Sequence, residues 1–145
     1  MADGVILRPA RPEDQPVIRR LVREARLNLL SLRWSRFVVA EVAGKVIGAA
    51  QVQPHWDGSR ELASVVVDPA WRGQGIGSRL VRTVMTRERG PLYLICRAER
   101  EAFYARLGFQ VLPPEALPPR FRRLHRVLRG LRLPWRVMGW DPREV

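Results

Sequence analysis

The sequence predicts an α/β fold, a mixed central sheet flanked by helices, and three observations carry that prediction. Short apolar runs at residues 37–40, 65–67 and 92–96 alternate with stretches of helical spacing. The β-branched run Val65, Val66, Val67 passes through a glycine-rich turn into an amphipathic helix. The chain has 145 residues, 46% hydrophobic and 28% charged, the length and composition of one domain that can meet the entropy cost of folding.

Residues 5–8 read as a strand that Pro9 breaks. Pro12, Glu13 and Asp14 suit a first helical turn, where proline forfeits no hydrogen bond and acids meet the helix dipole. Val17, Ile18, Leu21 and Val22 continue at helical spacing, and residues 27–32 are expected to form a second helical piece after a bend. Residues 36–42 and 46–52 form an expected antiparallel hairpin about Ala43, Gly44 and Lys45, with Pro54 ending its second strand. After a turn at residues 56–59, residues 61–67 are a central strand stopped by Asp68 and Pro69. Residues 73–77 then open a helix with Ile76, Leu80, Val81 and Val84 on one side and Arg79, Arg82 and Arg87 on the other. Residues 92–95 read as a buried strand, 99–107 as a helix closed by Gly108, and 109–112 as a strand. A basic helix over 120–129 and a last strand over 135–140 complete the order.

Twenty-five arginines and Lys45 against 14 acids give a net charge of +12, which predicts anionic partners without choosing among nucleic acid, a polyphosphate cofactor and an acidic membrane surface. No apolar run approaches the roughly 20 residues of a spanning helix, so membrane insertion is not expected. Residues 1–7 lack the charged head and apolar core of a leader, and with the lone Cys96 this points to the cytoplasm. One cysteine excludes an internal disulfide. Beside it, His55 and His125 offer no ligand spacing for zinc, so no metal is expected.

The informative segment is Arg72-Gly73-Gln74-Gly75-Ile76-Gly77-Ser78. Glycines between a strand and a helix let the backbone turn tightly and leave N–H groups converging at a helix amino end, an arrangement that attracts phosphate. A dinucleotide fingerprint fails because its third glycine would fall on Ser78 or Leu80, and a P-loop fails because no glycine-lysine pair follows. The spacing that fits is arginine, two residues, glycine, one residue, glycine, carried by Arg72, Gly75 and Gly77. With it the chain resembles the GNAT superfamily of N-acetyltransferases. Ile6 to Ala10 with Pro12-Glu13-Asp14 is similar to that family's opening strand and helix start. Phe103-Tyr104-Ala105-Arg106-Leu107-Gly108-Phe109 is similar to its tyrosine helix and following strand.

The resemblance covers most of residues 5–112 and implies a single GNAT-like acyl-CoA N-acyltransferase domain over 1–145. The activity it implies is transfer of an acetyl group from acetyl-CoA directly to a primary amine of a small molecule or protein. It places Arg72, Gly73, Gln74, Gly75, Ile76, Gly77 and Ser78 around the cofactor pyrophosphate, with main-chain amides carrying the grip and the Arg72 guanidinium solvated. It places Val65, Val66 and Val67 along the pantetheine arm, with the Val65 N–H aimed at the acetyl carbonyl. Tyr104 would donate the proton that the departing thiolate needs, and Glu61, eleven residues before Arg72, would act as general base through water. A carboxyl of ordinary pKa near ~4.3 needs burial for that role. Asp68 is the alternative base, although its place before Pro69 better suits capping of the turn. The asparagine that many relatives carry before the tyrosine helix is missing from Arg97-Ala98-Glu99-Arg100.

A basic helical insertion at about 113–133 precedes the last strand. Phe121, Leu124, Val127, Leu128 and Leu131 fall at helical spacing among six arginines, which predicts an apolar side on the sheet and a solvated basic face. The net charge is +7 over residues 1–112 and +5 over 113–145, so the excess is not confined to an arm. Common RNA-module motifs are absent, and nucleic acid is not the expected partner. The competing reading is a non-catalytic nucleic-acid- or ribosome-binding module on the same fold. A second copy of the chain stays open as a partner.

Overall fold

The computed structural model describes residues 4–144; Met1, Ala2 and Asp3, part of the segment read for a leader, and Val145 lie outside the described residues. The strands are β1 (Ile6–Pro9), β2 (Phe37–Val42), β3 (Lys45–Pro54), β4 (Arg60–Val67), β5 (Leu92–Arg97), β6 (Gln110–Val111) and β7 (Trp135–Trp140). The α-helices are α1 (Gln15–Glu24), α2 (Ile76–Thr86), α3 (Glu101–Arg106) and α4 (Pro119–Gly130). Hydrogen bonding orders the strands β1-β2-β3-β4-β5-β7-β6, with β4 central as the sequence predicts. The chain divides into two compact units, Met1–Gln53 with Leu62–Arg87, and Pro54–Glu61 with Glu88–Val145.

In the first unit β2 pairs antiparallel with both β1 and β3. Ala43 and Gly44 supply the two positive φ values of the hairpin turn, so Lys45 already belongs to the strand. Ile18, Leu21 and Val22 of α1 pack with Phe37, Val39, Ala49 and Val66. Ahead of α1, buried Asp14 accepts from Arg8 Nη1 and from the Arg11 N–H, each at 2.7 Å. The bond from Arg8 is the main cause holding its carboxyl below the usual carboxylate range.

The helical continuation expected over residues 27–32 does not form. Arg26 and Ser31 are left-handed, and Asn28 Oδ1 accepts the Leu30 N–H at 2.9 Å, a local turn that competes with helix. Leu29 and Leu32 reach the core while Leu27 and Leu30 stay exposed. The Gln15 amide pins this loop from α1, donating to Leu32 O and accepting the Trp34 N–H. On α2 the expected apolar side, Ile76, Leu80, Val81 and Val84, is buried. A Cβ on Gly48 would lie 3.1 Å from Leu80 Cδ1 and from Val66 O, so glycine on β3 is what admits the helix this closely.

In the second unit β5 pairs in parallel with the start of β4 at one rung, Glu61↔Tyr93, and antiparallel with β7 over its whole length. β6 pairs with β7 on its other edge. It is shorter than the predicted strand at its start because the Phe109 N–H donates to Tyr104 O at 3.1 Å and so belongs to the closing turn of α3. The predicted helix over 99–107 begins as a single 3-10 turn, and Gly108 closes α3 as expected. Phe121 of α4 is wholly buried among Leu117, Val137, Tyr93 and Leu128. Val127 and Leu131, from the same predicted apolar side, are 55% and 65% exposed, so only part of that side, Phe121 with Leu128, is seated. Among the described residues no helix is long and apolar enough to cross a membrane, and no group of three His, Cys, Asp or Glu could hold a metal ion.

Candidate active site

The turn between β4 and α2 is built from backbone. Gly73 and Gly75 both sit at left-handed φ, +77° and +78°, which L side chains rarely adopt. A Cβ at either position would meet no atom within 4 Å, so glycine is required here by conformation and the space beside it is open. The first turn-to-helix bond is Arg79 N–H to Gly75 O at 3.1 Å. From Gly73 to Ser78, no main-chain N–H has an acceptor among the described residues. These donors, open space and a helix amino end fit a pyrophosphate. Arg72 is exposed and folds its Nε back to Val67 O at 3.3 Å, which leaves recognition to the amides.

Two anchors fix the strand that feeds this turn. The Asp68 N–H donates to Ile47 O at 2.7 Å, and Asp68 Oδ1 accepts the Ala70 N–H at 2.9 Å. Asp68 therefore caps the turn Pro69–Trp71, the structural role weighed for it against that of base. Upstream, Val65 and Val67 are half-buried and Val66 is buried in the core of the first unit. Ser64, just before them, lies in the left-handed region at φ +54°. Fully buried Gln51 of β3 donates Nε2–H to Ser64 Oγ at 2.9 Å. The sequence reading missed both residues, because nothing in a strand pattern announces a left-handed serine.

In the second unit Glu61 is partly buried, its side chain 12% exposed, at the start of β4. His55 Nε2 lies 2.7 Å from its Oε1, and Arg120 Nη1 donates to the same oxygen at 3.2 Å. Both bonds therefore fall on Oε1. His55 is legible in retrospect, because a four-residue turn places it across from the start of β4. Arg120 comes from α4, 59 residues away, and no local signal links the two. Asp57 in that turn accepts the Ser59 N–H and hydroxyl and the Arg120 N–H. Burial pushes the Asp57 carboxyl up, but these bonds outweigh it and hold it at about 2.

Tyr104 of α3 sits edge-on to Phe103 and Phe109. Burial pushes its phenol up to about 12, so it keeps its proton across the neutral range. Cys96 is buried strand filler, as expected, with its thiol pushed by burial up to about 11.

A family model described as an acetyltransferase (GNAT) domain matches residues 33–111, from just before β2 through β6. The chain is 33% identical over 118 residues to an amino-acid acetyltransferase of Mycobacterium tuberculosis, covering 72% of this chain and 67% of that protein. It is 45% identical over 56 residues to mycothiol acetyltransferase of Rhodococcus jostii, covering 39% of this chain. A Mycobacterium tuberculosis protein solved in complex with CoA shares the fold with a TM-score of 0.75 and 25% identity, over 94% of this chain and 98% of that one. The chain belongs to the GNAT acetyltransferase family, and its fold is the one the resemblance implied. It spans only 18% of the length of the Rhodococcus relative.

Proposed function

We propose that the chain, acting as one domain, transfers the acetyl group of acetyl-CoA directly to a primary amine, and that the acceptor is an amino acid. The observation that supports cofactor binding best is the run of free N–H groups from Gly73 to Ser78 beside open space. The acceptor class follows the name of the Mycobacterium tuberculosis relative, which is matched over 118 residues.

Acetyl-CoA supplies an activated acyl group on a good thiolate leaving group. The residues of the chain do the rest. Gly73, Gln74, Gly75, Ile76, Gly77 and Ser78 bind the pyrophosphate through their amides, while Val65, Val66 and Val67 orient the pantetheine arm. The Val65 N–H stabilises the negative charge that develops on the acyl oxygen, a donor of a kind that lowers barriers by about 3 kcal/mol. Glu61, its Oε1 already occupied by His55 and Arg120, accepts the proton of the amine at Oε2 through water. Tyr104 is a buried phenol that stays protonated, and it delivers its proton to the departing sulfur.

A thiol-release assay run with free amino acids, polyamines, aminoglycosides and peptide amines tests the reading. The expected result is turnover with one or more amino acids, and a kcat lowered on the order of a hundredfold in Tyr104→Phe and in Glu61→Gln with acetyl-CoA affinity kept. No thiol release from any acceptor overturns the activity, and unchanged turnover in either variant removes that residue from its role.

A further inference from the structure

Three departures from ordinary strand chemistry coincide beside Val65. Ser64 is left-handed in mid-strand, where a serine is strained. Gln51 is wholly buried on β3, opposite Phe37 in register and two residues from the core residue Ala49. Its Oε1 is buried with no partner among the described residues. Turning the amide over does not relieve this, because the Ser64 hydroxyl can donate to an oxygen as readily as accept from nitrogen, and the other end of the amide would then be orphaned. A leucine or methionine at position 51 would be close in volume and would bury no unsatisfied amide atom, so packing does not account for the glutamine. The one hydrogen bond its side chain makes among the described residues goes to the strained residue. A left-handed residue in a strand rotates the peptide that follows it, and the N–H of that peptide belongs to Val65.

We infer that Gln51 is a positioning residue for acetyl transfer: its hydrogen bond to Ser64 holds the left-handed conformation and thereby aims the Val65 N–H. The inference rests on the reading of Val65 under Proposed function. Gln51 touches neither the cofactor nor the acceptor in this scheme. Its effect passes through the backbone of one serine.

The test compares wild type, Gln51→Met and the double variant Gln51→Met with Ser64→Gly, using thiol release from acetyl-CoA with the twenty standard amino acids tried singly. Methionine keeps the volume and removes the hydrogen bond. Glycine adopts positive φ unaided, so it makes the clamp unnecessary. Gln51→Met is expected to lower kcat by about tenfold to a hundredfold while the KM for acetyl-CoA moves less than about twofold. The added Ser64→Gly is expected to restore kcat to within about threefold of wild type. A readout independent of turnover is the backbone carbon chemical shifts of residue 64 in the CoA-free protein, which should report a left-handed residue in wild type and in the double variant but not in Gln51→Met. Wild-type turnover matched by Gln51→Met, or a loss that Ser64→Gly does not repair, overturns the positioning role and leaves the acetyltransferase reading standing. An inactive wild type overturns both.

Discussion

The glycine turn and the basic helix α4 both present more hydrogen-bond donors than their surroundings use, yet the donors differ in kind. In the turn they are main-chain N–H groups, aimed by two left-handed glycines and the amino end of α2, and no rotamer can withdraw them. On α4 they are guanidinium groups on long side chains, and Arg122, Arg123, Arg126 and Arg129 are all exposed. Preorganised backbone donors describe one ligand geometry, whereas exposed side-chain guanidinium groups describe only a sign of charge. The contrast explains why the turn identifies the family and the helix identifies nothing. What ties α4 down is packing and its amino end: Phe121 and Leu128 on the core cluster of the second unit, Arg120 on Glu61, and the Asp57 cap.

If α4 is held by packing rather than by a ligand, its largest sensitivity is thermodynamic. Phe121→Ala removes a wholly buried ring and is expected to cost about 3–5 kcal/mol in urea or thermal unfolding. A loss below about 1 kcal/mol would mean that the helix is not anchored where the structure seats it. The turn should respond in the opposite currency. Gly75→Val forces a branched side chain onto φ +78° beside the free amides, and calorimetry should show acetyl-CoA affinity weakened about tenfold or more. Unfolding should move by at most about 1–2 kcal/mol. Unchanged affinity would remove the turn from cofactor binding and with it the distinction between the two regions.

The same contrast shows what was legible in the sequence. The apolar side of α2, the central strand β4, the last strand and the closing Gly108 are local patterns of period and turn chemistry, and the structure has them. The segment 27–32 misled because leucines alternate there between core and solvent, and the Asn28 turn that breaks the helix costs only one side-chain bond. Arg120 beside Glu61 and Gln51 beside Ser64 were invisible for a different reason. Each pair joins residues distant in the chain, 59 and 13 positions apart, and single-sequence spacing carries no information on which long side chain meets which strand. Family motifs mark where a ligand binds, while the groups that hold those motifs in position come from packing.

The smallest expected effect falls on the link between the β3–β4 turn and α4. Pro118, at the amino end of that helix, offers no side-chain cap, and Asp57 takes over by accepting the Arg120 N–H at 3.0 Å. Asp57→Ala is expected to destabilise the chain by about 1 kcal/mol at neutral pH, the usual worth of a cap. Its carboxyl is held at about 2 when folded, below the ~3.9 of an unfolded aspartate, so its contribution is complete above the unfolded value. It fades as pH falls from ~4 and is gone once pH passes below the folded value, near 2. Urea unfolding of wild type and variant between neutral pH and that limit reads the difference directly, since the other carboxylates titrate alike in both proteins. A gap that stays constant down to acid pH would show that the charge of Asp57 does not cap α4, leaving Phe121 as its principal anchor.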